Sequence, residues 1–404
     1  MRQSPPALRW IWIVLYFSVT GSASPPPAVP IWSADLSGDV LFQKSATIGR
    51  AAEQRIVFLN DAQLAIAFLF RSLPDRRVGQ NFRDTIRSNA AVFLLNLPTG
   101  AVESSRSWDG MIGQPAASDN LELVPVVGGT LLCVGRQLMR LSSSLALQGK
   151  RELPLSRDLG TSSPLRDQWV LLTSPQSNSA LLVRFPAGQR AAEDHWINVR
   201  KLNDIGVSTA PAYNFPGMAL VGTEVVYTVR PDDDYIKNAM EAVRIGKPMA
   251  GAPVMIRGMT GANRKLCEGC AGGVVAALGR ELVLISEGHG EYLIANKFGN
   301  RKFKGKTGNS GGITGASGSA TVNRVAFLVA SDAKFDGRSL ESESKVVVLD
   351  LDKGGPVLEF SWREEGKRLD AHIVQLTAPK LALSPDGKHL AVLAGTTVRL
   401  YQVP

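Results

Sequence analysis

Apolar residues fall in short runs along most of this chain, each about four to seven residues long and closed by Gly, Asn, Asp or Pro, the pattern of strands joined by tight turns. The clearest copy is C-terminal. Pro379-Lys380-Leu381-Ala382-Leu383-Ser384 leads into Pro385-Asp386-Gly387-Lys388, then His389-Leu390-Ala391-Val392-Leu393, Gly395 and Thr397-Val398-Arg399-Leu400-Tyr401. Three strands are legible there, and Asp-Gly read as a two-residue connection predicts a primed turn in the first hairpin. Stretches with helical period are nearly absent.

Looser copies precede it. Ile56 to Leu59, Leu64 to Phe70 and Ala91 to Leu97 make one, with an arginine-rich insertion from Arg71 to Arg87 before the third strand. Others lie near 121–153, 165–200, 208–258, 272–304 and 316–363, so the count with the last copy is seven. The spacing, about 35 to 50 residues, suits four-stranded propeller blades, although six or eight blades fit its irregularity as well. The last copy has only three strands before the chain stops at Pro404, which leaves an edge to be covered. The orphan segment Asp39 to Ile48, centred on Val40-Leu41-Phe42, is the expected partner. An all-β fold follows: a seven-bladed β-propeller over 31–404, closed by an N-terminal strand in the last blade.

Leu383-Ser384-Pro385-Asp386-Gly387-Lys388-His389-Leu390-Ala391-Val392 with Val398-Arg399-Leu400-Tyr401 resembles the repeat of WD40-like and TolB-like bacterial β-propellers. The full Gly-His to Trp-Asp signature of eukaryotic WD40 domains is missing from every copy, so the resemblance is to the divergent exported members. It implies a binding or assembly platform first and an enzyme second.

Composition agrees with a folded β protein: 44% hydrophobic and 20% charged residues give material for a large core, and 39 glycines with 23 prolines serve many turns. Arg2 and Arg9 precede the apolar stretch Trp10 to Val19, which is followed by Thr20-Gly21-Ser22-Ala23. That stretch is about half the length a spanning helix needs, so 1–23 reads as a signal peptide cleaved after Ala23, with a retained anchor as the rival reading. Ser24-Pro25-Pro26-Pro27 opens a stiff spacer over 24–30. Export places the protein in the periplasm or outside the cell, with no transmembrane span left after cleavage. The net charge of +9 falls to about +7 once Arg2 and Arg9 leave. Export argues against nucleic acid as the partner and for a protein or an anionic envelope polymer, bound by a monomer.

Candidate chemistry is sparse. Cys267-Glu268-Gly269-Cys270 in an exported chain reads as a structural disulfide, while Cys133 in an apolar strand reads as a core residue. His195, His289, His372 and His389 show no metal-ligand spacing; His289, in a glycine-rich turn, is the best pocket candidate. Asp232-Asp233-Asp234 and Asp332 with Asp336 read as solvated loops. Two basic segments could meet an anionic partner: Arg76, Arg77 and Arg83 in the insertion, and Arg301, Lys302, Lys304 and Lys306 around Phe303. No nucleophile elbow, phosphate loop, zinc-protease motif or dinucleotide fingerprint is present, so no catalytic residue, metal or cofactor is expected. The function expected is an exported scaffold for a protein or polysaccharide; the alternative is a hydrolase or lactonase-like enzyme at the mouth of the central channel.

Overall fold

The computed structural model describes residues 28–47, 50–71, 87–112, 121–126, 128–134, 137–152, 168–173, 179–185, 193–198, 205–208, 218–221, 224–228, 253–258, 264–268, 270, 272–279, 281–288, 290–307, 312–330, 334–335, 339–367 and 379–404. Among them are seven antiparallel sheets in chain order. Sheet I holds Arg50–Asn60, Gln63–Arg71, Arg87–Asn96 and Val102–Ile112. Sheet II holds Leu121–Val126, Gly129–Val134, Gln137–Ser142 and Leu147–Glu152. Gln168–Thr173, Ser179–Phe185, Glu193–Asn198 and Ile205–Ser208 form sheet III. Met218–Val221, Glu224–Thr228, Val254–Gly258 and the short Arg264–Lys265 form sheet IV. In sheet V the strands are Gly273–Leu278, Leu282–Gly288, Glu291–Asn296 and Arg301–Lys306. Sheet VI is five-stranded: Ile313–Gly318, Arg324–Ala330, Ser339–Asp350 and Gly355–Lys367, with Lys334–Phe335 paired to the far end of the third.

Sheet VII joins the two ends of the chain. Lys380–Leu383, His389–Ala394 and Thr397–Gln402 are its C-terminal strands, and its fourth is Trp32–Asp35, with Trp32 opposite Leu400 and Ser33 opposite Arg399. The strand that covers the last edge is therefore not the expected one. Val40–Ala46 is an α-helix, α1, whose N-cap Asp39 accepts from the Leu41 and Phe42 amides at 2.7 and 3.3 Å. Capping satisfies amide donors that a strand would have paired across a ladder. It also leaves Val40 84% exposed while Phe42 is buried, a helical rather than an alternating pattern.

The core is divided between neighbouring sheets. Ile56, Phe58, Phe68 and Phe93 of sheet I pack with Ala391, Leu393, Val398 and Leu400 of sheet VII. The other face of sheet I, through Ala65, Ala67 and Val92, meets Leu121, Leu132 and Met139 of sheet II. Separate clusters join sheets IV and V, V and VI, and VI and VII. First strands meet side by side: Arg50–Asn60 touches both Leu121–Val126 and Lys380–Leu383, and the first strands of sheets III to VI follow one another on to Lys380–Leu383. Successive four-stranded meanders packed face to face, with their first strands adjacent, are the plan of a β-propeller.

The Pro385-Asp386-Gly387-Lys388 turn differs from the primed hairpin expected. Its flanking strands last pair at Leu383 and Leu390, and only Gly387, at φ 70°, has a left-handed backbone. A primed turn of that type would need two such residues. Side chains close the loop instead: Asp386 accepts from Ser384 Oγ at 2.7 Å and from the Lys388 amide at 3.0 Å, and Ser384 Oγ accepts from the His389 amide at 2.9 Å. The same turn ties its sheet to both neighbours. The Asp386 amide donates to Asp61 in sheet I, while Thr321 and Arg324 of sheet VI donate to the Pro385 and Gly387 carbonyls.

Candidate functional site

The basic segment 301–306 is a strand rather than a loop, and it is the outermost strand of sheet V. Its ladder with Glu291–Asn296 shifts register between Ile294 and Ala295: Phe303 lies opposite Ile294, Arg301 opposite Ala295, and Lys302 is passed over. A bulge of this kind turns an alternating strand so that residues an even-odd step apart share a face. Arg301, opposite Ala295, and Lys304, opposite Leu293, thus fall in register with residues that pack towards sheet IV. Phe303 goes the other way and stacks on Tyr292 with ring centroids 6.0 Å apart.

The cations on this strand differ in their engagements. Arg301 donates to the Glu268 carbonyl at 2.6 Å. Lys304 reaches Glu287 at 2.8 Å and Glu291 at 3.6 Å, and the hydrogen bond to Glu287 leads the causes that raise its pKa. Lys302 and Lys306 are exposed and make no ion pair among the described residues. Across the gap to sheet IV, Arg264 donates to the Lys297 carbonyl at 2.9 Å and reaches Glu224 at 3.5 Å, with exposed Lys265 beside it. Phe298, 67% exposed in the turn before Arg301, lies under Lys297 with its ring centroid 5.2 Å from Nζ. The rim between sheets IV and V carries exposed Lys265, Lys302 and Lys306 beside the ion-paired cations and their glutamates, with one aromatic ring at its end.

Cys267 and Cys270 form the turn under that rim. They lie at disulfide distance, with Cα atoms 5.3 Å apart, and Cys270 is buried in the core between sheets IV and V. The turn is fastened by Leu266 N–H to Val254 O at 2.9 Å and Val254 N–H to Cys270 O at 3.2 Å. Gly299, at φ 86°, is required because a Cβ there would run into the Leu266 carbonyl oxygen. Glu268, whose carbonyl receives Arg301, belongs to this turn.

The other sequence-derived candidates are not drawn into this site. Arg76, Arg77, Arg83, His289, His372, Asp232 to Asp234, Asp332 and Asp336 lie outside the described residues, as do residues 1–27. Arg71 and Arg87, taken as ends of the insertion, belong to paired strands, with Arg71 opposite Ser88. His195 pairs through its backbone with Leu182 and Val207 in sheet III. His389 is held by its amide, and its buried Nδ1 has no hydrogen-bond partner. Cys133 is buried in the second strand of sheet II, and burial pushes its thiol up to about 12. Among the described residues no three His, Cys, Asp or Glu side chains are grouped to hold a metal, and no helix is long and apolar enough to cross a membrane.

A second polar cluster had no counterpart in the sequence reading. Arg55 on the first strand of sheet I bonds Glu53 at 3.0 Å and Glu122, from the first strand of sheet II, at 3.4 Å. Lys380 opens the first strand of sheet VII on the same face as Ala382, which packs against sheet I, and it feels the charges of Arg55, Glu53 and Glu122. For Arg55, burial opposes the charge, and the two carboxylates outweigh it and raise its pKa.

No protein-family model matches the chain, and no curated protein is similar to it in sequence. Solved structures align along most of its length. The WD40 domain of Neurospora crassa Pan2 covers 93% of this chain and 95% of its own at 9% identity, with a TM-score of 0.49. The Dos1 propeller covers 93% and 95% at 12% identity and a TM-score of 0.40. BamB from Moraxella catarrhalis covers 93% and 99% at 10% identity and a TM-score of 0.39.

Proposed function

We propose that the seven sheets are the blades of one closed propeller spanning 31–404, exported behind a cleaved leader, and that it serves as a scaffold for an acidic polymer at the rim between sheets IV and V. The observation that carries this reading is the division of labour among the cations of 301–306. Arg301 and Lys304 are fixed by the protein's own acceptors, while Lys302 and Lys306 project from the same edge without an ion pair among the described residues. Charges held in place on one side and available on the other suit a repeating anion, whose successive carboxylates can meet successive ammonium groups. Lys265 and the Phe298 ring extend the surface past the end of the strand. Lysines on an edge strand also discourage sheet-to-sheet aggregation, which is the plainer account of the same residues.

The two accounts part experimentally. Binding to alginate and to polyglutamate, measured at low and at raised salt, should weaken at least about tenfold in a Lys302→Glu, Lys306→Glu double variant and fall steeply with salt in the parent. A double variant that aggregates yet binds as the parent does would leave these lysines as edge guards and end the scaffold reading. The leader is tested separately: mass spectrometry of the exported protein should find Ser24 as the first residue, and an N-terminus at Met1 would contradict cleavage.

The enzymatic alternative gains from one observation, the meeting of Glu53, Arg55 and Glu122 where the first strands of sheets I and II run side by side.

A further inference from the structure

Cys267 and Cys270 stand three residues apart in one turn, and backbone hydrogen bonds already close that turn. The Cys270 amide donates to the Cys267 carbonyl at 3.3 Å, so the two residues are joined whether or not their sulfurs are. Leu266 N–H to Val254 O at 2.9 Å and Val254 N–H to Cys270 O at 3.2 Å fasten both sides of the turn to the third strand of sheet IV. Leu266 and Cys270 are also buried with Val254 and Ile256 in the core between sheets IV and V. A disulfide stabilises most when it joins segments far apart in the chain, because it then removes most freedom from the unfolded state. A bridge within one turn removes least, and this one lies where the fold has other fastenings. The folded state can therefore persist with the bond open or closed.

The two cysteines differ in access. Cys270 is 3% exposed, whereas Cys267 is half-buried, packs on the same core from its outer side and is followed by exposed Glu268. The turn before the outermost strand of sheet V approaches Cys267 through Gly299, where an added Cβ would come within 3.3 Å of the Cys267 Cβ and 2.3 Å of the Leu266 carbonyl oxygen. Only glycine fits there, so no side chain from that position covers the cysteine. Cations share the turn: exposed Lys265 lies two residues before Cys267, and Arg301 donates to the Glu268 carbonyl at 2.6 Å. A partly exposed cysteine among cations is the setting of reactive cysteines, and a buried one in apolar surroundings is inert.

We propose that Cys267–Cys270 is a thiol–disulfide exchange site for low-molecular-weight thiols, with Cys267 the sulfur that is attacked and Cys270 the sulfur that is released. A thiolate adds to Cys267 Sγ, the S–S bonding pair leaves on Cys270 Sγ, and that sulfur takes up a proton. A second thiolate then attacks the small molecule's sulfur in the mixed disulfide, and Cys267 departs and is protonated in turn. Two thiols become one disulfide while the protein gains two thiol groups, so electrons and protons balance; the reverse sequence closes the bond again. Exchange at Cys267 does not depend on what the lysines of the rim bind.

The test uses the full-length protein without denaturant. It is equilibrated with 2-mercaptoethanol and then with the corresponding disulfide, alkylated after each step and read by peptide mass spectrometry, with buried Cys133 reporting on unfolding. Cys267 should become alkylated in the thiol and be linked to Cys270 again in the disulfide, while Cys133 stays unlabelled throughout. In a Cys270→Ser variant, Cys267 should form the mixed disulfide at least about tenfold faster than Cys270 does in Cys267→Ser. A bond that stays closed in the thiol, opens only where Cys133 is labelled as well, or fails to close in the disulfide would overturn the proposal, and all three are read on the parent protein even if a variant does not fold. Mixed disulfide forming on Cys270 as fast as on Cys267 would overturn it too.

Discussion

The Trp32 indole donates from Nε1 to the Leu97 carbonyl oxygen at 2.6 Å, a hydrogen bond between residues 65 apart in sequence. It carries the N-terminal strand of sheet VII across to the turn between the last two strands of sheet I. The indole also lies over Gly100, whose φ is 70° and whose missing Cβ would come within 2.8 Å of the ring. Gly100→Ala should therefore destabilise the protein by about 1–3 kcal/mol, from left-handed backbone strain and the collision together. Trp32→Phe, which removes the donor and leaves the Leu97 carbonyl with one partner fewer, should cost about 1 kcal/mol. Denaturant unfolding of both variants measures each.

Helix α1 makes a sharper prediction, because strand and helix bury different residues of Val40-Leu41-Phe42. The Phe42 ring meets Phe68 at 5.1 Å and Phe70 at 5.0 Å, both nearly edge-on. Phe42→Ala should cost about 3–5 kcal/mol, the range for emptying a buried aromatic site. Val40→Asp should be within about 0.5 kcal/mol of the parent, as expected of an exposed position. A large loss at Val40 would restore the strand.

Asp350 supplies a pH dependence. Burial opposes its ionisation, but hydrogen bonds from the Lys353 amide, Arg324 and the Asp352 amide, with the Arg324 charge, more than offset this and hold its carboxyl below the usual carboxylate range. Arg324 Nε lies 3.2 Å from it. A carboxylate whose folded pKa is depressed adds stability that is complete above its unfolded value and lost as pH falls through the folded one. Stability should thus be level in this respect above about pH 5 and decline below about pH 4. Asp350→Asn should be less stable than the parent at pH 7, with the gap narrowing on acidification, as read from unfolding midpoints between pH 3 and 7.

The Cys267–Cys270 turn should connect redox state to polymer binding. Arg301 is anchored on the Glu268 carbonyl within the turn, so opening the turn releases the first cation of the basic strand. Replacing both cysteines by serine should lower stability by about 2 kcal/mol, the loop-entropy value for so short a ring. Retention on alginate should fall several-fold, and reduction of the parent protein should have the same effect on retention while leaving the serine variant unchanged.

Much of the strand plan was legible because several middle strands are apolar on both faces. Gly129 to Val134 and Leu282 to Ile285 are buried between sheets and stand out as continuous hydrophobic runs. Outer strands were missed for the complementary reason: Leu147–Glu152, Arg264–Lys265 and Arg301–Lys306 are mostly polar, and an edge facing water leaves no hydrophobic signature. The covering strand was misplaced because Trp32-Ser33-Ala34-Asp35 is short and half-exposed, whereas Val40-Leu41-Phe42 is the more apolar triplet. Asp39 was the available signal, as an N-cap residue directly before that triplet. The Glu53–Arg55–Glu122 cluster leaves no local trace, since its members come from two sheets, with Arg55 and Glu122 lying 67 residues apart.

Closure of the ring is the claim on which the rest depends, and a cysteine pair at its seam tests it most directly. Ser33 and Arg399 lie opposite each other in the ladder between the first strand and the last. A protein carrying Ser33→Cys and Arg399→Cys should, on mild oxidation of the folded state, yield a peptide pair linked through those two positions in most molecules, with unfolding shifted to higher denaturant. Folded protein in which the two cysteines stay reduced, or link only between molecules, would contradict a ring sealed by its own N-terminal strand.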